Sequence, residues 1–204
     1  MYCPECKCTY ERWTDCPVCG MPMVEEAPPY PGTESGPMSY EALVEHVRTA
    51  GGQLTVELSA TDVGVQRDMG FPYRGYGLAW VKRMHGGFDS HPVDMHTTEI
   101  GSKKRWGFPY FGHGYAWSKE LQGHIAGHEV ALAADKVSTK RSVDFPWRGY
   151  GFAWTQEWSG RCGDQLEARL ATTEDGRKKG YRFPYFGFGY GWARKGILTL
   201  TLAG

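Results

Sequence analysis

The chain contains one strong periodic pattern, in which apolar side chains alternate with polar ones in four stretches of the same kind. A period of two places every second side chain on one face of a β-strand. The apolar positions are Val56-Leu58-Ala60, Val93-Met95-Thr97, Val130-Leu132-Ala134 and Ala168-Leu170-Thr172. The pattern therefore predicts four equivalent strands.

A ten-residue segment follows each of these stretches and predicts a second strand. Its four copies read FPYRGYGLAW from Phe71, FPYFGHGYAW from Phe108, FPWRGYGFAW from Phe145 and FPYFGFGYGW from Phe183, at spacings of 37, 37 and 38 residues. One face of this strand is aromatic and the other is almost all glycine. We expect the aromatic face, with the four tryptophans, to point inward, and the glycine face to curve or to approach another backbone.

The copies alternate, which indicates a duplicated hairpin followed by a duplicated pair. Copies one and three share Arg-Gly-Tyr-Gly, whereas copies two and four share Tyr-Phe-Gly. We predict a mainly β fold of four tandem hairpin repeats of about 37 residues, closed into an eight-stranded barrel-like body with pseudo-twofold symmetry. Residues 197–202 would close the sheet against the first strand. A small fourfold propeller-like array is the alternative fold.

A helical pattern precedes the repeats. Ser39 can cap a short helix over Tyr40–Ala50, and Gly51-Gly52 can end it. This divides the chain into a cysteine-rich segment (1–23), a linker rich in Pro, Gly and acidic residues (24–38), a helix segment (39–52) and a four-repeat domain (53–204). The repeats cover approximately 53–88, 89–127, 128–164 and 165–204.

Composition agrees with short strands and many turns, since the chain holds 28 glycines, 12 prolines and 29 aromatic residues. No apolar run approaches the ~20 residues that a membrane-spanning helix needs. The first residues have neither the basic nor the apolar region of a signal peptide. We therefore expect a cytoplasmic protein without a membrane partner, in which cysteines are reduced.

The N-terminal cysteines predict a metal site. Cys3 and Cys6, and then Cys16 and Cys19, form two C-x-x-C pairs separated by nine residues. Two such pairs complete a tetrahedral site of four sulfurs, which leaves no open position for catalysis. Cys8 could compete as a ligand.

The segment Cys-Pro-Val-Cys-Gly, from Cys16, resembles the second knuckle of zinc ribbons and rubredoxins. The resemblance covers residues 1–22 and implies a knuckle fold around one metal ion. The cofactor that we predict is Zn²⁺, with iron as the alternative because iron also accepts four thiolates. The ribbon is either a structural element or a docking module.

A basic rim is predicted at the end of the body where the ten-residue segments lie. The windows 64–74, 101–111, 138–148 and 176–186 hold two acidic residues and twelve basic ones, a formal charge of +10 in a chain of net charge zero. The basic residues are Arg67, Arg74, Lys103, Lys104, Arg105, Lys140, Arg141, Arg148, Arg177, Lys178, Lys179 and Arg182. The aromatic residues of the rim are Tyr73, Tyr110, Phe111, Trp147, Tyr185 and Phe186.

Cations attract phosphates and exposed aromatic rings stack on bases. The leading hypothesis is therefore a non-enzymatic protein whose zinc ribbon and rim engage nucleic acid or a nucleoprotein particle. In the second hypothesis it is an accessory subunit that docks on an acidic protein surface in a larger assembly. In the third, Trp80, Trp117, Trp154 and Trp192 line a small-ligand cavity. The Phe-Pro turns could also simply pack under the barrel floor, with the charges solvating the loops.

Overall fold

The computed structural model describes residues 2–3, 8–9, 37–109 and 111–204. They form a mainly β protein with one short helix. The helix α1 is Tyr40–Thr49. The strands are β1 (Tyr2–Cys3), β2 (Cys8–Thr9), β3 (Gln53–Gly70), β4 (Arg74–Phe88), β5 (His91–Gly107), β6 (Phe111–Ile125), β7 (His128–Asp144), β8 (Arg148–Cys162), β9 (Leu166–Arg182) and β10 (Phe186–Leu202).

Strands β3 to β10 form a closed antiparallel barrel, as the sequence predicts. Each strand pairs with the next one along the chain, and β10 pairs with β3 between residues 195–201 and 53–59. Closure leaves this part of the sheet without a free edge. The predicted alternation is visible in β3, where Leu54, Val56, Leu58 and Ala60 are buried.

Only one half of the barrel is fully closed. Between hairpins the ladder is short, and β4 pairs with β5 only from Arg83 to Phe88. Within each hairpin the ladder continues to the turn, after a β-bulge such as the one at Ala60–Val63. The outer parts of the four hairpins therefore leave the barrel as two-stranded arms, which we number 1 (β3–β4), 2 (β5–β6), 3 (β7–β8) and 4 (β9–β10).

The arms pack around a common axis through their glycine faces. A Cβ on Gly112 would come within 2.7 Å of the carbonyl oxygen of Gly75, and one on Gly187 would meet the carbonyl oxygen of Gly149 at the same distance. The same relation runs from each arm to the previous one around the axis. We call the eight residues the glycine ring: Gly75, Gly77, Gly112, Gly114, Gly149, Gly151, Gly187 and Gly189.

The expected orientation of these strands was therefore wrong in one respect. The glycine face does approach another backbone, as expected, but it is this face that points to the axis. The aromatic face is covered from outside by the next arm. The indole rings of Trp80, Trp117 and Trp192 lie against a cross-strand glycine, at Gly64, Gly101 and Gly176 respectively. These three tryptophans thus fill the space beside the cross-strand glycines and do not form a central layer.

Helix α1 closes the end of the barrel opposite the arms. Ser39 caps it by accepting a hydrogen bond from the Ala42 amide, and Leu43, Val44 and Val47 are buried. The Tyr40 hydroxyl donates to the Cys162 carbonyl at 2.9 Å and accepts from the Gln165 amide at 2.9 Å, which ties the helix to the β8–β9 turn. The basic rim and the exposed aromatic residues lie at the other end, on the arms.

Candidate nucleic-acid interface at the arm tips

Each arm ends in a tight turn that carries an exposed phenylalanine. We call these four residues the apex phenylalanines: Phe71 (91% exposed), Phe108 (85%), Phe145 (86%) and Phe183 (82%). Each precedes a proline, and the Phe-Pro peptide is cis in all four turns. The turns project into solvent and do not pack under the barrel floor.

The turns are short because the strands pair up to their edges. In arm 1 the last pair is Gly70 with Arg74, which leaves three residues in the turn. Tyr73 and its equivalent Trp147 have φ values of 62° and 63°. This is the left-handed region, which residues with a side chain adopt uncommonly. The apex side chains therefore have positions set by the backbone of a paired hairpin.

Neighbouring tips touch one another, so they form one surface. The rings of Tyr73 and Tyr185 meet edge to face with centroids 5.8 Å apart. The Arg74 guanidinium lies 5.1 Å from the centre of the Trp106 ring, and that of Arg148 lies 4.6 Å from the centre of Tyr181. The crown is this surface, which consists of the apex phenylalanines with Met69, Tyr73, Trp106, Val143, Trp147, Tyr181 and Tyr185, all exposed.

The basic residues of the rim all lie on the arms. They occupy β3, β5, β7 and β9 or the first position of β4 and β8, at the same end as the crown. Of the predicted aromatic residues, Tyr73, Trp147 and Tyr185 are exposed, whereas Phe111 and Phe186 are partly buried. Tyr110 lies outside the described residues.

One cation in each repeat reaches across to the previous arm around the axis. Arg67 donates to the Tyr190 hydroxyl at 2.6 Å, and its guanidinium lies 5.2 Å from the Phe188 ring centre. At the equivalent positions, Lys104 lies over Tyr76 and Lys179 over Tyr150. These long side chains cover the aromatic faces and hold adjacent arms together.

The fourth such cation, Arg141, belongs to arm 3. Burial lowers the pKa of His113 on arm 2, and the positive charge of Arg141 lowers it further. Burial likewise raises the pKa values of Tyr115 and Tyr150. Burial of the aromatic faces thus disfavours the charged form of each of these three side chains.

Some of the rim is engaged in ion pairs. Lys104 pairs with Asp68 and lowers the pKa of that carboxyl. Lys179 pairs with Asp144 at 3.0 Å, and Arg177 with Asp175 at 2.6 Å. These side chains are partly exposed, so each pair contributes at most about 1 kcal/mol to stability.

Other rim cations remain open to a partner. Within the described part of the chain, Lys103, Arg105 and Lys140 lie beyond ion-pair distance of every carboxylate. All three are exposed. They belong to arms 2 and 3, and Arg182 adds an exposed cation on arm 4. The exposed positive charge therefore extends across arms 2 to 4.

A cleft between arms 3 and 4 concentrates this charge. It has a volume of about 320 Å³ and is lined by Lys140, Arg141, Arg177, Lys178 and Lys179, together with Phe152 and Ser142. None of the described residues that line it is acidic, although Lys179 and Arg177 pair with acids beside it. The Ser142 hydroxyl is buried and has no hydrogen-bond partner among the described residues. The cleft therefore offers concentrated positive charge to an anionic group.

The equivalent positions between arms 1 and 2 are different. Gln66, Asp68 and Ser102 stand where the cleft has Lys140, Ser142 and Arg177. The backbone repeats, and this surface keeps three of the five cations, Arg67, Lys103 and Lys104. Of these, Lys104 pairs with Asp68. The cleft is therefore more positive than its counterpart because it gains Lys140 and Arg177 and has Ser142 where the counterpart has Asp68.

The N-terminal cysteines fall mainly outside the described residues. Cys3 is buried on β1 and Cys8 lies on β2, which pairs with β3 at Val63 and Gly64. Cys6, Cys16 and Cys19 are not among the described residues, so the four-cysteine site remains a prediction from the sequence. Elsewhere, burial raises the pKa of the Cys162 thiol to about 11, which disfavours a nucleophilic role.

Sequence reasoning missed the most exposed residues of the site. It used Phe-Pro as a turn signal and took the aromatic after the proline as the surface residue, but the phenylalanine before the proline is more exposed. Trp106 and Tyr181, which alternate with basic residues at the ends of β5 and β9, were also overlooked. Their alternation with Arg105 and Arg182 was the available signal.

Comparison with protein-family models, with curated proteins and with solved structures found no match to this chain. None of the helical segments that the structure describes is long and apolar enough to cross a membrane.

Proposed function

We propose that the protein binds nucleic acid, free or in a nucleoprotein particle, through the ends of its four arms, and that this binding involves no catalytic step. The observation that carries the proposal is the cleft between arms 3 and 4, where five cations converge without a lining carboxylate. Phosphates along a nucleic-acid strand supply the repeated negative charge that such a surface attracts.

The distribution of charge supports a strand that crosses more than one arm. Lys103 and Arg105 on arm 2 continue the positive surface beyond Lys140 on arm 3. A single phosphate or a compact anion would use only one cleft, whereas a chain of phosphates can contact all of these cations together. The zinc ribbon that the cysteines predict belongs to the same proposal, because β2 pairs at the base of arm 1.

A salt series tests the proposal. Binding of a labelled single-stranded RNA and a DNA of equal length should weaken steeply as salt is raised, because bound cations are released when phosphates are neutralised. In a triple variant, Lys103→Gln, Arg105→Gln and Lys140→Gln, the slope of log K against log salt should become shallower by about 2, from about 0.7 per phosphate contact. All three side chains are exposed, so the fold should persist.

A matched control removes equal charge from the barrel half. Arg83, Arg161 and Arg169 are exposed there, and their triple change to Gln should leave the affinity and the slope nearly unchanged. Equal losses of affinity in both triple variants would mean that net charge, and not the position of the cations, determines binding. Absence of binding at low salt would refute the proposal and would favour an acidic protein surface as the partner.

A further inference from the structure

The crown is the largest exposed apolar feature of the arms, and the cleft does not account for it. Its four apex phenylalanines are between 82% and 91% exposed. Exposed apolar patches of this kind on a folded protein mark a surface that contacts something else. The crown and the cleft lie at the same end of the molecule, so one ligand can reach both.

We infer that the crown stacks on unpaired bases, so that the protein selects single-stranded nucleic acid over duplex. This inference rests on the proposed function. In a duplex the faces of the bases are already stacked on their neighbours and are closed to a protein ring. In a single strand they are open, and a π-face is common to all four bases, so aromatic platforms bind them with little sequence preference.

The geometry of the tips suits stacking better than burial in an apolar groove. Each phenylalanine lies in the turn of a hairpin whose strands pair up to that turn, so little backbone freedom is lost on binding. Arg74 and Arg148 already cover the Trp106 and Tyr181 rings, whereas the apex rings remain open. The surface therefore presents four separate rings and not one continuous apolar plane.

Charge argues for the same ligand and against a second copy of the chain. Arg105 and Arg182 lie next to Trp106 and Tyr181 on the strands that end at the crown, and both are exposed. Two crowns placed face to face would bring like charges together and would be repelled. A strand of phosphates, by contrast, neutralises these cations while its bases reach the rings.

The test separates stacking from simple apolar contact. A quadruple variant changes Phe71, Phe108, Phe145 and Phe183 to Leu, which keeps apolar side chains but removes the rings. Its matched control changes the same four residues to Trp, which keeps a ring at each tip. The ligands are a labelled unstructured single strand of about 20 nucleotides and a hairpin duplex of equal phosphate number, measured by fluorescence anisotropy at one salt concentration.

We expect the Leu variant to lose at least about tenfold in single-strand affinity, since stacking on one base alone is worth about fivefold or more. Its duplex affinity should not change, and the Trp variant should bind the single strand as well as the unmodified protein or better. Unchanged single-strand binding by the Leu variant, with the salt dependence intact, would overturn the crown inference alone. If the unmodified protein binds neither the single strand nor the duplex, the proposed function is overturned as well.

Two further outcomes would assign the crown elsewhere. If the unmodified protein sediments with vesicles of anionic phospholipid and the Leu variant does not, while single-strand binding is the same in both, the crown contacts a lipid surface and the inference fails. If the protein self-associates in sedimentation analysis and the Leu variant does not, the crown is an interface between copies and the inference also fails.

Discussion

At the residue scale, glycine allows the second strands of the four hairpins (the inner strands β4, β6, β8 and β10) to pack around one axis. No other residue fits where the backbone of one strand lies against the next, which is the same reason that collagen requires glycine at its axis. The sequence showed a face of small residues but not its direction. Both faces of these strands are buried. The rule that large side chains point inward therefore does not determine which face lies at the axis.

Gly77→Ala should destabilise the protein by about 3 kcal/mol, because its Cβ would overlap the backbone of Gly189 and neither strand can move away from the axis. Urea unfolding measures the change. Gly70→Ala is the control, since its Cβ would find its nearest neighbour at 3.4 Å, an ordinary contact on Tyr76. A similar cost at both positions would show that the strand propensity of the new residue, and not the glycine ring, determines the effect.

At the element scale, the hairpins and the helix could be predicted from periodicity, and their roles could not. The period-two runs predicted the first strand of each hairpin, which is β3, β5, β7 or β9. Ser39 predicted the start of α1, and Gly51 with Gly52 predicted its end. The branch from barrel to arms was not predicted. It depends on a bulge near Ala60 and its equivalents, where the residue pattern carries no distinctive turn or glycine signal.

Tyr40→Phe tests how α1 is attached to the barrel. It removes the hydroxyl that bridges Cys162 and Gln165, and it should lower the free energy of unfolding by about 1 kcal/mol. Tyr181→Phe is its match, because that ring is 59% exposed and its loss of a hydroxyl should change stability by less than about 0.5 kcal/mol. Equal effects in thermal unfolding would mean that the Tyr40 hydroxyl does not fix the helix.

At the scale of the whole molecule, the repeat count gave the strand number, and the closing pair of β3 with β10 agrees with the predicted barrel. The asymmetry of the surface was harder to anticipate. The twelve basic residues could be counted in the sequence, but the pairing of Lys104 with Asp68 and of Lys179 with Asp144 depends on contacts between neighbouring arms. Only the assembled arms show which cations remain open to a partner.

A chain cut between residues 127 and 128 should regain the fold only when both halves are present. Each half alone leaves two sheet edges and two glycine faces uncovered, so we expect it to lack a cooperative unfolding transition. Co-expressed halves should copurify and unfold together at a temperature below that of the intact chain. Independent folding of either half, seen as a dispersed NMR spectrum, would contradict this expectation.

The closed glycine ring has a consequence for the evolution of such a chain. Open repeat proteins can gain or lose a unit, since each unit contacts only its neighbours in a line. Here every inner strand contacts the strands of both adjacent arms, and the last meets the first. A three-arm or five-arm relative would need a different axis. Copy number is therefore fixed at four, and variation among descendants should accumulate in the tips and clefts, where function is proposed to reside.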